Sequence, residues 1–120
     1  MPDLDLTPPP AIFKWDLGHG GWTTNDTLRE LAAMGLLGVD WAQTRTIAKT
    51  PGTWNETNPL LGQHPSSGQV NNYFGAWMLA HPTLSYLLPP DWRLAFQLGT
   101  IGVEAPTVHR NWKIGIGATF

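Results

Sequence analysis

Apolar residues recur at helical spacing in three blocks of the chain, and each block is closed by proline, glycine or serine. "TTNDTLRELAAMGLLGVDWAQTRTIAK" reads as a first helix ending near Lys49. Thr24, Asn25 or Asp26 can cap its free amides, Glu30 lies near the first turn, and Arg45 and Lys49 occupy the end where the helix dipole favours cations. "TPGTWNETNPLLGQHPSSG" has the punctuation of a loop. Ser66 or Ser67 caps a second helix from about Gln69 to Leu88, in which Pro82 predicts a bend. "PPDW" makes a tight corner, and Pro90 or Asp91 opens a third helix reaching about Val108, with a kink or an end predicted at Pro106. The tail "KIGIGATF" alternates as a short strand does.

The pattern predicts an all-α fold, a three-helix membrane-type bundle with an irregular Pro-rich N-terminal arm and a short extended C-terminal tail. The arm covers 1–22, the helical domain 23–113 with a 50–68 loop, and the tail 114–120.

Within each helix the polar residues fall on a narrow line. Gln97, Glu104 and Asn111 are seven apart, so they share a stripe if the third helix continues through Pro106. His81 and Ser85 are four apart on the second helix, with Trp77 one turn before them, and Asp40 and Gln43 project together from the first. In a bilayer such lines turn inward and satisfy one another, because an unpaired carboxylate in lipid costs at least ~2.5 kcal/mol. In water the wide apolar remainder needs covering by something else. The uncharged stretch from Tyr73 to Pro90 approaches the ~20 residues that a helical span needs.

Composition shifts the balance further toward lipid. Only 13% of residues are charged, about half the usual share of a soluble domain. Trp22, Trp41, Trp54, Tyr73, Trp92 and Trp112 sit near predicted helix ends, as an interfacial belt has them. The slightly negative mean hydropathy of −0.18 leans the other way. A net charge of −2 offers no footprint for nucleic acid. The chain has no cysteine, which excludes disulfides and zinc–thiolate sites. Its acidic, proline-bearing start is unlike a secretory signal peptide.

At "DWAQTRTIAK", "ETNPLLGQHPS", "VNNYF" and "TIGVEAPTVHRNWKIGIG" the chain resembles a group of small uncharacterised membrane proteins of proteobacteria and their phages. The positions that carry the resemblance are Asp40, Trp41, Gln43, Thr44 and Arg45; Glu56, Asn58, Pro59, Leu61 and Gly62; and Glu104, His109 and Asn111. Ala105-Pro106 and Arg110 depart from the pattern. The resemblance spans about residues 22 to 117 and implies a location rather than an activity.

His19, His64, His81 and His109 lie in different segments with no local ligand spacing, so no metal or other cofactor is expected. Ser66, Ser67 and Ser85 lack a nucleophile elbow, and "LGHGG" matches neither phosphate-binding glycine fingerprint. Asp40, Gln43, Arg45, Asn58, His81, Gln97, Glu104, His109 and Asn111 are expected to form a polar interior network, with "ETNPLLG" folding back to cap it. That network holds the helices in register or, alternatively, relays protons. The leading expectation is a small non-enzymatic integral membrane protein of the bacterial inner membrane, or of the host membrane if phage-encoded. It would act by self-association or by binding a partner in the envelope, as phage lysis factors of the holin type do. Its partners are then the lipid bilayer and further copies or neighbouring subunits. A peripheral or virion structural protein whose apolar helix faces pack against neighbouring subunits is the alternative. An enzyme using Asp40 and Glu104 is a third.

Overall fold

A computed structural model describes residues 21–118, and among these it has three helices: α1 (Thr24–Lys49), α2 (Ser67–Leu87) and α3 (Pro90–Lys113). The predicted arm falls almost wholly in residues 1–20, outside the described residues, as do the last two residues of the tail.

Local chemistry sets each boundary. Thr23, one residue earlier than any of the three expected caps, starts α1. Its hydroxyl accepts from the Asp26 N–H (3.2 Å), and the Asp26 carboxylate accepts in return from the Thr23 N–H (2.8 Å). Ser66 and Gln69 build the same reciprocal pair at the start of α2. Pro90 opens α3 at a position where its missing N–H costs nothing. Gly115, at φ +94°, reverses the chain after α3, and the Ile116 N–H returns to the Asn111 carbonyl (2.9 Å). This leaves Ile116 buried under the helix end, where the Thr46 hydroxyl donates to the Gly117 carbonyl (2.5 Å).

Neither internal proline ends its helix. α3 continues through Pro106 to Lys113, past the stop expected near Val108. A proline removes a single N–H. The threonine after each one, Thr83 and Thr107, donates its hydroxyl to the carbonyl four residues back, at 2.8 Å in both cases. The tail forms no strand among the described residues, because residues 114–118 turn back onto α1 and meet no second strand to pair with.

α1 is the spine and packs against both other helices, whereas α2 and α3 touch each other far less. Its inward residues Asp26, Glu30, Ala33, Leu37, Asp40, Thr44 and Ile47 are alternately four and three residues apart, the spacing of a heptad seam. Leu37, Val70 and Phe74 form the apolar heart, with Met34, Trp41, Leu61 and Met78 packed around it.

The distribution of polarity is inverted. Arg93, His81, Gln43 and Gln97 are at most 1% exposed, while Leu31, Leu79, Val103 and Trp112 are between 64% and 77% exposed. Such inversion fits the polar lines read from the sequence, but the membrane conclusion drawn from them is overturned. No helix among the described residues is long and apolar enough to cross a membrane. α1 holds Asp26, Arg29, Glu30, Asp40, Arg45 and Lys49, and α3 holds Asp91, Arg93, Glu104, Arg110 and Lys113. The uncharged α2 spends its length on Gln69, Asn71, Asn72, His81 and Ser85. The membrane-type bundle, the transmembrane helix and the integral, holin-like role are corrected accordingly.

Candidate functional site

Two polar centres lie inside the bundle, separated along α1 by the buried Ala33 and Leu37. The first sits where α1 begins and α2 meets α3. Pro89 and Pro90 have no N–H, so the carbonyls of Ser85 and Tyr86 lose the donors that continued helix would supply. The Arg93 guanidinium replaces them: Nε donates to Ser85 O (2.6 Å), and one terminal nitrogen donates to Tyr86 O (3.3 Å) and Leu88 O (3.0 Å). The other terminal nitrogen reaches Asp26 Oδ2 (3.2 Å), and Trp22 covers the guanidinium at 4.8 Å. Asp26 also pairs with Arg29. Burial pushes the Asp26 carboxyl up, but the hydrogen bonds from Thr23 and the charges of Arg93 and Arg29 outweigh it and hold it below its ordinary value.

One turn further, Glu30 gathers donors from both other helices. Oε1 faces His81 Nδ1 (2.6 Å), while Oε2 accepts from Ser85 Oγ (2.7 Å) and Gln97 Nε2 (3.0 Å). Burial raises the Glu30 carboxyl, and these three hydrogen bonds together with the His81 charge bring it below the usual carboxylate range. The remaining groups are tied in as well. His81 Nε2 lies 2.9 Å from Thr100 Oγ1, and the His81 ring stacks on Phe96 at 4.4 Å. Gln97 donates to the Asp26 carbonyl (3.0 Å) and accepts from Arg29 Nε (2.9 Å).

The second centre lies toward the other end, and the sequence motifs converge there. Asp40 accepts from the Thr44 hydroxyl (3.2 Å). Gln43 donates to the Val108 carbonyl (3.2 Å) and accepts from Asn111 Nδ2 (3.1 Å). Trp41 Nε1 (3.0 Å) and Arg45 (2.5 Å) both donate to Asn71 Oδ1, clamping α1 to α2. Glu104 shares a hydrogen bond with Asp40, and Glu56 of the loop lies close enough to repel it. Burial first, then Asp40 and Glu56, push the Glu104 carboxyl up to about 9, so it keeps its proton at neutral pH.

The loop folds back onto this end. Leu61 packs on the apolar heart, and Arg110 donates to the Thr57 hydroxyl (3.0 Å). "ETNPLLG" is largely self-contained. Glu56 Oε1 accepts from the N–H groups of Thr57 and Asn58, and Asn58 Oδ1 accepts from the Leu60 N–H, all at 2.9 Å. Gly62, at φ +77°, returns its N–H to the Asn58 carbonyl (3.2 Å).

Of the nine residues singled out in the sequence, His81, Gln97, Asp40, Gln43, Glu104 and Asn111 lie within the two centres, and Arg45 binds Asn71 at the edge of the second. Asn58 serves its own turn, and His109 is exposed on α3, so neither belongs to the interior. Sequence reasoning missed Arg93, Asp26, Thr100 and Asn71, and it took Glu30 for a dipole-favoured residue of the first turn. The signal for Arg93 was available: two prolines orphan two carbonyls, and a five-donor side chain follows three residues later. Among the described residues no group of three or more His, Asp or Glu side chains could hold a metal ion.

Between α2 and α3 runs an open cleft of about 490 Å³, lined by Tyr73, Trp77 and His81 of α2, by Phe96, Thr100 and Glu104 of α3, and by Leu37 of α1. Comparison with protein-family models, with curated proteins and with solved structures finds no match to this chain.

Proposed function

We propose that the protein is a non-catalytic assembly subunit whose outer helix faces pack against further copies of itself. One observation carries this reading: many of the large apolar side chains are outside. On α1, Leu28, Leu31, Gly35 and Val39 form one exposed stripe at spacings of three and four residues, with the exposed Ala32 beside it. α3 exposes Trp92, Leu94, Leu98 and Val103. Monomeric proteins rarely expose large contiguous apolar surface, and burying a leucine fully contributes about 1.5–3 kcal/mol. A second copy is the simplest cover. The α1 stripe has helix-pairing periodicity with small residues at its middle, and a two-fold axis lets one patch serve as both partners. The buried polar groups then have a separate job, fixing the register of three helices whose apolar residues alone specify it poorly.

Sedimentation velocity over about a hundredfold range of concentration tests the reading. Self-association is expected, with Leu31→Lys plus Val39→Lys shifting the protein to monomer while helical circular dichroism is unchanged. A wild-type monomer at every concentration sinks the proposal, and so does a monomer that binds phospholipid vesicles instead.

A further inference from the structure

The cleft between α2 and α3 is a feature that helix register does not require. Its volume of about 490 Å³ lies within the range of small-molecule sites. Three aromatic side chains, Tyr73, Trp77 and Phe96, give it walls whose faces carry partial negative charge. Two of its polar groups are already committed: His81 to Glu30 and Thr100, and Thr100 also to the Phe96 carbonyl (3.0 Å). Glu104 differs from them. Its Oε2 is buried, and among the described residues Glu104 has no side-chain partner beyond the hydrogen bond that it shares with Asp40. The groups that act on its charge are Asp40 from α1 and Glu56 from the loop, both acidic, while α2 contributes His81 and Tyr73 to the same cleft. Two acids, Asp40 and Glu56, therefore stand behind a protonated carboxyl at the edge of an aromatic-walled space, and no cation is among the groups acting on Glu104.

We propose that this cleft binds an organic monocation, an ammonium with an apolar or aromatic body, with its body among Tyr73, Trp77 and Phe96 and its charge beside Glu104. Binding exchanges one positive charge for another: the ammonium enters, the Glu104 carboxyl releases its proton to solvent, and the resulting carboxylate pairs with the ligand. No covalent bond changes. Because Glu104 is held up to about 9, cation and proton compete for it through the neutral range, and affinity rises with pH until Glu104 is ionised. The proposal concerns the cleft alone and stands whether or not the outer faces associate.

Benzyltrimethylammonium is a suitable probe because its charge does not vary with pH. Titration calorimetry of the full chain is expected to show one site, with affinity rising about tenfold per pH unit in the neutral range and about one proton released per cation. Buffers of different ionisation enthalpy measure that release. Glu104→Gln is expected to weaken binding at least about tenfold and to flatten the pH dependence. Trp77→Leu is expected to weaken binding while keeping the pH slope, which separates the aromatic contribution from the carboxyl. Both variants are checked for native helical signal. The uncharged isostere neopentylbenzene is expected to bind more weakly than the cation. Equal affinity for the isostere, an unchanged pH slope in Glu104→Gln, or no binding to the wild-type chain each overturns the proposal.

Discussion

Arg93→Met replaces the most heavily engaged buried side chain with an apolar one of similar length. The guanidinium is 0% exposed and serves three carbonyls at the α2 terminus, the Asp26 carboxylate and the Trp22 ring. Water cannot take over the buried Ser85 and Leu88 carbonyls without opening the corner, and each unsatisfied group costs about 1–3 kcal/mol. Asp26 keeps Arg29 and its Thr23 donors, so only part of the ~3–5 kcal/mol for breaking a buried ion pair applies. Methionine recovers some packing on Trp22. The balance predicts a loss of about 4 kcal/mol, a large share of the ~5–15 kcal/mol that holds a domain together. Arg93→Lys keeps the charge near Asp26, but a single ammonium cannot also span three carbonyls, so it should lose about 2–3 kcal/mol.

Urea unfolding followed by far-ultraviolet circular dichroism measures both losses, at one fixed protein concentration because the proposed self-association would shift the apparent midpoint. The double variant Asp26→Asn/Arg93→Met supplies the coupling: removing the carboxylate should cost less once its buried partner is gone. A loss below about 1 kcal/mol for Arg93→Met, or a lysine variant as stable as wild type, would refute the idea that the two prolines create a need that Arg93 meets.

Stability should depend on pH in two windows. Asp26 and Glu30 are held below their ordinary values of 3.8 and 4.5, so their contribution is present above those values and is lost as pH falls through the lower folded ones. Glu104 is raised from 4.5 to about 9, so its protonated form is at no disadvantage below 4.5, and stability declines as pH rises from there toward 9. Glu104→Gln should flatten that decline in thermal melts recorded across the range, and a decline of undiminished slope would count against it. Between α1 and α3, Gln43→Ala and Asn111→Ala should show coupling of about 1 kcal/mol in a double-mutant cycle, and strict additivity would mean that their 3.1 Å contact contributes nothing.

The helices were legible because capping and periodicity are local. Ser66 with Gln69, and the acid at position 26, announce their starts within four residues, and the Gln97–Glu104–Asn111 stripe needs only the helical period. What periodicity cannot supply is what lies across from a stripe. Glu30 reads as a first-turn acid until α2 brings His81 and Ser85 to it from more than fifty residues away. Pro106 reads as a kink or an end because the rule for an isolated helix counts the lost N–H but not the tertiary contacts that hold Asn111 beyond it. The membrane conclusion failed at a different step. An inward polar line leaves apolar outer faces that a dry neighbour would cover, but it does not say that the neighbour is lipid.

The placement of the motif residues bears on that neighbour. "DWAQTR" fastens α1 to α2 through Asn71 and to α3 through Asn111, and the Glu56 loop closes over the same end. These are directional bonds, each with one correct partner, and an apolar interior would leave the same helices free to slide by a turn. The outer stripe has the opposite character: Leu28, Leu31 and Val39 are exposed and apolar, and any contact they make is non-directional and scales with area. The proposed self-association would require this division, because apolar side chains on both sides of α1 would let either face serve as the core. Buried polarity thus tells the chain which side of each helix is inside, and it leaves the exposed leucines available for the association proposed above.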